Sequence, residues 1–104
     1  MCDNHSGLGS LVKPSEDQIF DDIEKERFNQ IRKWGDQRHP HDAWVRIELE
    51  EFGEVAKSIN ECRPWEEVRA ELIQVAAVAV AWISDIDRRV VDGEVIRPAN
   101  ERIE

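Results

Sequence analysis

Two pairs of polar residues in this sequence carry the side chains needed to bind a metal ion. Glu51 and Glu54 form the first pair, and Glu71 and Gln74 form the second. A spacing of three places both side chains of a pair on one face of a helix, one turn apart. Hard divalent cations such as Mg²⁺ prefer oxygen ligands of this kind. These four residues are therefore the candidate ligands of a metal ion.

The first pair lies in a segment whose apolar residues repeat with the period of a helix. On a wheel that turns about 100° per residue, Trp44 and Val55 share one stripe with Glu48 and Glu51, and Glu54 flanks it. An ionised carboxylate in an apolar interior is costly unless it is neutralised, paired or bound to a cation. The position of these acids thus favours a cation site.

The second pair lies in a segment, residues 68–83, that is apolar on nearly all sides. If the two segments pack as antiparallel helices, both pairs face one groove. The alternative is that each pair lies on a solvated surface beside a basic partner. Lys57 follows Glu54 by three residues, and Arg69 precedes Glu71 by two.

Three helices are predicted to position these residues. A capping box at Ser15 begins the first helix, and Gly35 ends it. The second is expected over about residues 43–60, with Asp42 as its N-cap, and the third over about residues 65–89. No stretch alternates with a period of two. The predicted fold class is therefore all-α, with an antiparallel hairpin of the second and third helices as its core.

Composition restricts the class of protein. The 104 residues suit one small domain, with a flexible leader over residues 1–13 and the domain over residues 14–104. A net charge of −9 argues against a general nucleic-acid or anionic-membrane binder. The longest apolar run, residues 75–83, is shorter than the roughly 18 residues of a membrane span. Two cysteines supply no disulfide framework or zinc site and favour a reducing, intracellular setting.

Residues 50–54, EEFGE, match the EExxE motif of the all-α nucleoside triphosphate pyrophosphohydrolases of the MazG type. Residues 71–74, ELIQ, take the place of the second motif of that family, ExxD. Together with the segment KWGDQRHP at 33–40, the chain resembles the short MazG-like proteins of phages and actinobacteria. The resemblance covers about residues 24–89.

The resemblance implies hydrolysis of a nucleoside triphosphate to its monophosphate and pyrophosphate, with Mg²⁺ or Mn²⁺ held by Glu51, Glu54, Glu71 and Gln74. Gln74 replaces an Asp of the family, which keeps an oxygen ligand but lowers the negative charge of the site. Glu50 is the candidate for orienting or deprotonating the attacking water, although its place on the wheel also fits a solvent-facing acid. The implied fold resembles a four-helix bundle, completed by a dimer or a dimer of dimers.

Four residues near the end of the first helix are the candidates for binding the substrate: Gln30, Lys33, Trp34 and Gln37. Lys33 suits a phosphate, and Gln37 suits the edge of a base. Trp34 suits either stacking on a base or a buried anchor at the helix end, and the anchor is favoured because Trp is usually buried. The expected substrate is a purine nucleotide such as dGTP. The expected location is the cytoplasm of the cell or of a phage host.

Other residues have simpler expected roles. His39 and His41 are expected to form local hydrogen bonds in the loop, and Trp82 to lie in the core or a subunit interface. Four residues near the C-terminus suit contact with a triphosphate tail: Arg88, Arg89, Arg97 and Asn100. Arg88 and Arg89 also suit a basic helix end that the helix dipole favours.

Two other functions compete with hydrolysis. Gln74 in place of an acid favours a non-catalytic member that binds nucleotide or serves as a helical dimerisation module. The acidic charge also fits a helical adaptor for a basic partner, which would not respond to metal ions.

Overall fold

The structure, a computed structural model, describes residues 15–94. This part of the chain contains three α-helices. They are α1 (Glu16–Trp34), α2 (His41–Asn60) and α3 (Trp65–Val91), and no strand occurs within these residues. The all-α class is confirmed. The predicted leader over residues 1–13, and the suggested roles of Arg97 and Asn100, fall outside the described residues.

The two ends of α1 form largely as the sequence predicts. The Ser15 hydroxyl accepts a hydrogen bond from the Gln18 amide at 3.3 Å. The Gln18 side chain donates to Asp22 at 2.9 Å. Gly35 ends the helix with φ at 73°, and its amide donates to the Ile31 carbonyl oxygen at 2.7 Å. This left-handed backbone is the reason a glycine suits the position.

The start of α2 differs from the prediction. Pro40 is the N-cap, the helix begins at His41, and no side chain caps it. The extended backbone of proline has the geometry that an N-cap needs, so Asp42 lies within the first turn. There its carboxylate accepts from Arg46 at 3.5 Å, and its charge is favourable near the positive end of the helix dipole.

The turn between α2 and α3 covers residues 61–64, where Cys62 has a positive φ of 58°. Pro64 then serves as the N-cap of α3. The turn is short enough to bring α2 back along α3.

Helix α3 packs against both other helices, whereas α1 and α2 do not pack on each other within residues 15–94. Trp44, early in α2, contacts Asp85, late in α3, so these two helices are antiparallel. An Asp22–Arg69 ion pair of 2.8 Å joins α1 to the beginning of α3. The predicted hairpin therefore forms the core, and α1 lies beside it with an open cleft on its α2 side.

The core is small. Trp44, Val78 and Ala81 are buried together, and Ile47 and Trp82 pack against them. The rings of Trp44 and Trp82 stack with 6.3 Å between centroids, which gives Trp82 the core role that the sequence suggested. Helix α1 contributes no buried residue. No helix in the described part of the chain is both long enough and apolar enough to cross a membrane.

Candidate functional site

A cleft of about 590 Å³ lies between α1 and α2, with α3 as its floor. It exists because both outer helices pack on α3 and not on each other. Its polar and aromatic lining residues are Glu26, Asn29, Gln30, Arg32, Lys33 and Trp34 of α1, Gln37 of the loop, Trp44, Glu50 and Glu51 of α2, and Gln74 of α3. The α1 wall is mainly basic, aromatic and amide-bearing with one acid, Glu26, and the α2 wall carries the acids Glu50 and Glu51.

All four candidate substrate-binding residues line this cleft. The Gln30 amide nitrogen lies 3.5 Å from a Glu26 carboxylate oxygen, to which it donates. The Gln37 amide oxygen lies 3.4 Å from Nε2 of His39. The structure thus brings together side chains that the sequence spreads over the end of a helix and the following loop.

Trp34 corrects the interpretation that the sequence favoured. The side chain is 61% exposed, so it is not a buried anchor. Trp34 is the last residue of α1, directly before the Gly35 cap, and it lines the cleft. The Lys33 ammonium lies 5.3 Å from the centre of the Trp34 ring, within the range of a cation–π interaction.

Glu51 is an acid of the cleft whose surroundings disfavour its charge. It is half-buried, and its Oε2 atom has no hydrogen-bond partner. Burial raises the pKa of Glu51, and the negative charges of Glu71, Glu54, Glu26 and Glu50 raise it further. A bound cation would relieve both effects, because it supplies a partner to the oxygen and offsets the repulsion.

Glu48 is a second partly buried acid with a raised pKa, but it lies outside the cleft lining. Its Oε1 atom is buried without a partner. Burial raises the pKa of Glu48, and the charge of Glu51 adds to the rise. The sequence pattern placed Glu48 within the apolar stripe, and we assigned it no role.

The predicted metal ligands are only partly brought together. Glu51 and Gln74 line the cleft, whereas the exposed Glu54 and the half-buried Glu71 do not. Within residues 15–94, no three His, Cys, Asp or Glu side chains form a group that would hold a metal ion. The four-residue ligand set stays a prediction. Glu50 both lines the cleft and is exposed to solvent, so it satisfies both interpretations of its position.

Three lining residues were missed as candidates: Glu26, Asn29 and Arg32. A signal was present, because Glu26, Gln30 and Lys33 follow one another at spacings of four and three along one face of α1. Arg32 donates to the Asn29 side chain. It also places a second cation beside Lys33 on the α1 wall.

Asp85, late in α3, holds the loop between α1 and α2. It is 1% exposed and accepts hydrogen bonds from Trp44 Nε1 at 2.9 Å, the His39 amide at 3.0 Å and Arg89 Nε at 2.9 Å. Burial by itself raises the pKa of Asp85, but hydrogen bonds from Arg89, Trp44 and the His39 amide outweigh it and lower the pKa to about 2.

Arg88 and Arg89 lie in the last turn of α3, as the helix-end interpretation predicts. Each also forms an ion pair within the chain, Arg88 with Asp36 and Arg89 with Asp85. His41 Nδ1 accepts from Trp82 Nε1 at 3.0 Å. This bond joins α2 to α3 and is not the local loop contact that we expected.

No family model, curated protein or solved structure matches this chain.

Proposed function

We propose that this protein is a metal-dependent nucleoside triphosphate pyrophosphohydrolase of the MazG type. It would convert a nucleoside triphosphate to the monophosphate and pyrophosphate. A purine nucleotide such as dGTP is the first candidate substrate. One observation carries the proposal: a single cleft joins the basic and aromatic wall of α1 to the acidic wall of α2. Its volume of about 590 Å³ lies within the usual range for small-molecule sites.

The α1 wall has the groups that a nucleotide needs. Lys33 and Arg32 supply positive charge for the phosphates, which an acidic protein must provide locally to overcome its own repulsion. Trp34 presents an exposed ring on which a base stacks. Gln37 and Gln30 carry amide groups that donate to and accept from a base or sugar.

The α2 wall has the groups that hold a cation. Glu51, with its unpartnered oxygen, would hold Mg²⁺ or Mn²⁺ together with Glu54, Glu71 and Gln74. When bound, such an ion neutralises charge that develops on phosphoryl oxygens and lowers the pKa of a water nucleophile. Glu50 lines the same cleft and would orient or deprotonate the water.

A second copy of the chain completes this proposal. Helix α1 has no buried residue, and a MazG-like four-helix arrangement needs more helices than the three described. We place the working protein in the cytoplasm, as a dimer or a dimer of dimers.

One observation favours a second candidate, a non-catalytic nucleotide-binding or dimerisation protein. Within residues 15–94 the acids do not form a preassembled group of three metal ligands. Gln74, at the position of a family acid, also reduces the charge available to a metal. Such a protein would bind nucleotide in the same cleft and release no pyrophosphate.

Incubation of the purified protein with each common dNTP and NTP, with Mg²⁺ or Mn²⁺, tests the proposal. Products would be separated by ion-exchange chromatography. We expect monophosphate and pyrophosphate from the wild type, with none from Glu51→Gln. Glu24→Gln is the matched control, because Glu24 is an exposed α1 acid outside the cleft lining.

The products also separate the alternatives. A nucleoside diphosphate as product would reject pyrophosphohydrolysis. Binding measured by calorimetry, without turnover in either metal, would support the non-catalytic candidate.

A further inference from the structure

The loop over residues 35–40 carries Gln37 into the cleft, and one buried carboxylate holds it in place. Oδ2 of Asp85 accepts from the His39 amide at 3.0 Å. The same oxygen accepts from Trp44 Nε1 at 2.9 Å. Asp85 itself does not line the cleft. A single atom outside the cleft thus binds both the loop and one residue of the cleft wall.

The connection continues from His39 to Gln37. The His39 ring meets Trp44 edge to face, with 4.8 Å between ring centroids. Its Nε2 atom lies 3.4 Å from the Gln37 amide oxygen. Movement of His39 away from Asp85 would therefore displace the Gln37 amide, which lines the cleft.

Exposed ion pairs also hold the loop from its outer side. Among them, Arg88 pairs with Asp36, and Arg38 pairs with Asp92 at 2.9 Å. Exposed pairs contribute little to stability. Asp85 is the buried partner, so its bonds determine the position of the loop more strongly.

We propose that Asp85 is a positioning residue for nucleotide binding, which keeps Gln37 and Trp44 in the cleft wall through the loop at residues 35–40. The inference rests on the proposed function, because it assigns Asp85 a role in the affinity of that same cleft. It predicts an effect on KM and not on kcat, since Asp85 touches neither the nucleotide nor the acids of α2.

Asp85→Asn is the main test. The amide keeps the shape of the side chain but has one acceptor oxygen for donors from three residues, and it loses the charge that attracts Arg89. We expect a KM increase of roughly tenfold with kcat changed by less than about twofold, as loss of a binding contact predicts. Hydrogen exchange of the His39 amide should accelerate in the same variant.

Asp22→Asn is the matched control. It removes an ion pair of 2.8 Å between α1 and α3 that lies far along the chain from the loop. A merely structural role of Asp85 would make both variants behave alike. We expect Asp22→Asn to leave KM and exchange of the His39 amide at the wild-type values.

Asp36→Asn keeps the test decisive if Asp85→Asn does not fold. Asp36 is exposed and belongs to the loop itself, so its substitution weakens one outer ion pair of the loop without disturbing the core. A smaller KM increase in the same direction is expected.

The outcomes separate this inference from the proposed function. Turnover by the wild type decides the function, and the variants decide the inference. Where the wild type binds nucleotide without turnover, the Kd from calorimetry replaces KM. Unchanged affinity in Asp85→Asn and Asp36→Asn, unchanged exchange of the His39 amide in Asp85→Asn, or no nucleotide binding by the wild type would overturn the role of Asp85.

Discussion

At the scale of single residues, hydrogen-bond donors make two acids behave in opposite ways, although burial raises the pKa of both. Glu51 has a carboxylate oxygen without a partner and is surrounded by other acids, so its pKa is raised. Asp85 has three donor residues and a pKa lowered to about 2. A carboxylate that lacks a partner is available to a ligand, whereas one with all its partners stabilises the fold.

Removal of the Glu51 charge should stabilise the protein in the absence of divalent cations. The pKa of Glu51 is higher in the folded chain than in the unfolded one, so the folded state loses stability as pH rises through that interval. Glu51→Gln should therefore raise the Tm at neutral pH in EDTA. Mg²⁺ or Mn²⁺ should raise the Tm of the wild type and leave that of the variant unchanged. A lower Tm for the variant in EDTA, with Glu24→Gln unchanged, would contradict the interpretation.

Asp85 should have the opposite dependence on pH. Its pKa falls from 3.8 to about 2 on folding, and a shift of that size corresponds to roughly 2 kcal/mol of unfolding free energy. This stability is present above the unfolded pKa and is lost as pH falls towards 2. The free energy of unfolding would be measured with urea between pH 2.5 and about 7. As the pH falls, this free energy should decrease less steeply for Asp85→Asn than for the wild type. An equally steep decrease in the variant would assign the pH dependence of stability to other carboxylates.

At the scale of helices, local end signals set the length of each helix, and packing sets its position. Gly35 ends α1 in the left-handed region, and Pro40 and Pro64 precede α2 and α3. These local signals determine where each helix begins or ends. Which face of α1 contacts α3 is a matter of packing between residues far apart in the chain, and Asp22–Arg69 is one contact of that kind.

Two glycines should respond in opposite ways to substitution by alanine. An added Cβ meets nothing within 4 Å at either Gly35 or Gly53, so the backbone alone decides the effect. Gly35 has φ at 73°, and Gly35→Ala should destabilise the fold by about 1 kcal/mol. Gly53 lies within α2, and Gly53→Ala should stabilise it by roughly 0.5–1 kcal/mol. Equilibrium urea unfolding measures both, and equal signs would contradict the assignment of the Gly35 backbone.

At the scale of the whole molecule, apolar side chains outside the core outnumber those within it. Residues 15–94 bury Trp44, Val55, Ala77, Val78 and Ala81. On α2, Val45, Leu49 and Phe52 are exposed by 42%, 64% and 56% at spacings of four and three, which forms an outward apolar stripe. Contiguous apolar surface of this kind is typical of an association face.

The α2 stripe should mediate self-association. Light scattering of the wild type should give a mass that is a multiple of the monomer mass, and Leu49→Lys should reduce it. The Tm of the variant should also fall, because a partner subunit stabilises the folded chain by mass action. Val91→Lys is the control, since Val91 is 83% exposed at the end of α3. A wild-type mass equal to that of one chain at all concentrations would reject the assembly.

The sequence by itself determined the helical class, the three helices and most of their ends. Those features depend on local signals, such as the hydroxyl of Ser15 and the conformational freedom of Gly35, which act within one or two turns. The candidate substrate residues were also identified from one local segment. Whether they and the proposed metal ligands act on a nucleotide stays a prediction.

Only the tertiary structure decided how the helices meet. The packing of α1 on α3 and not on α2 opens the cleft, leaves Trp34 exposed, and adds Glu26 to its wall. The role of Asp85 depends on donors more than 40 residues away, such as His39. Helical period predicts which side of a helix is apolar, but burial and hydrogen bonding depend on which neighbour that side meets, and contacts between distant segments set that neighbour.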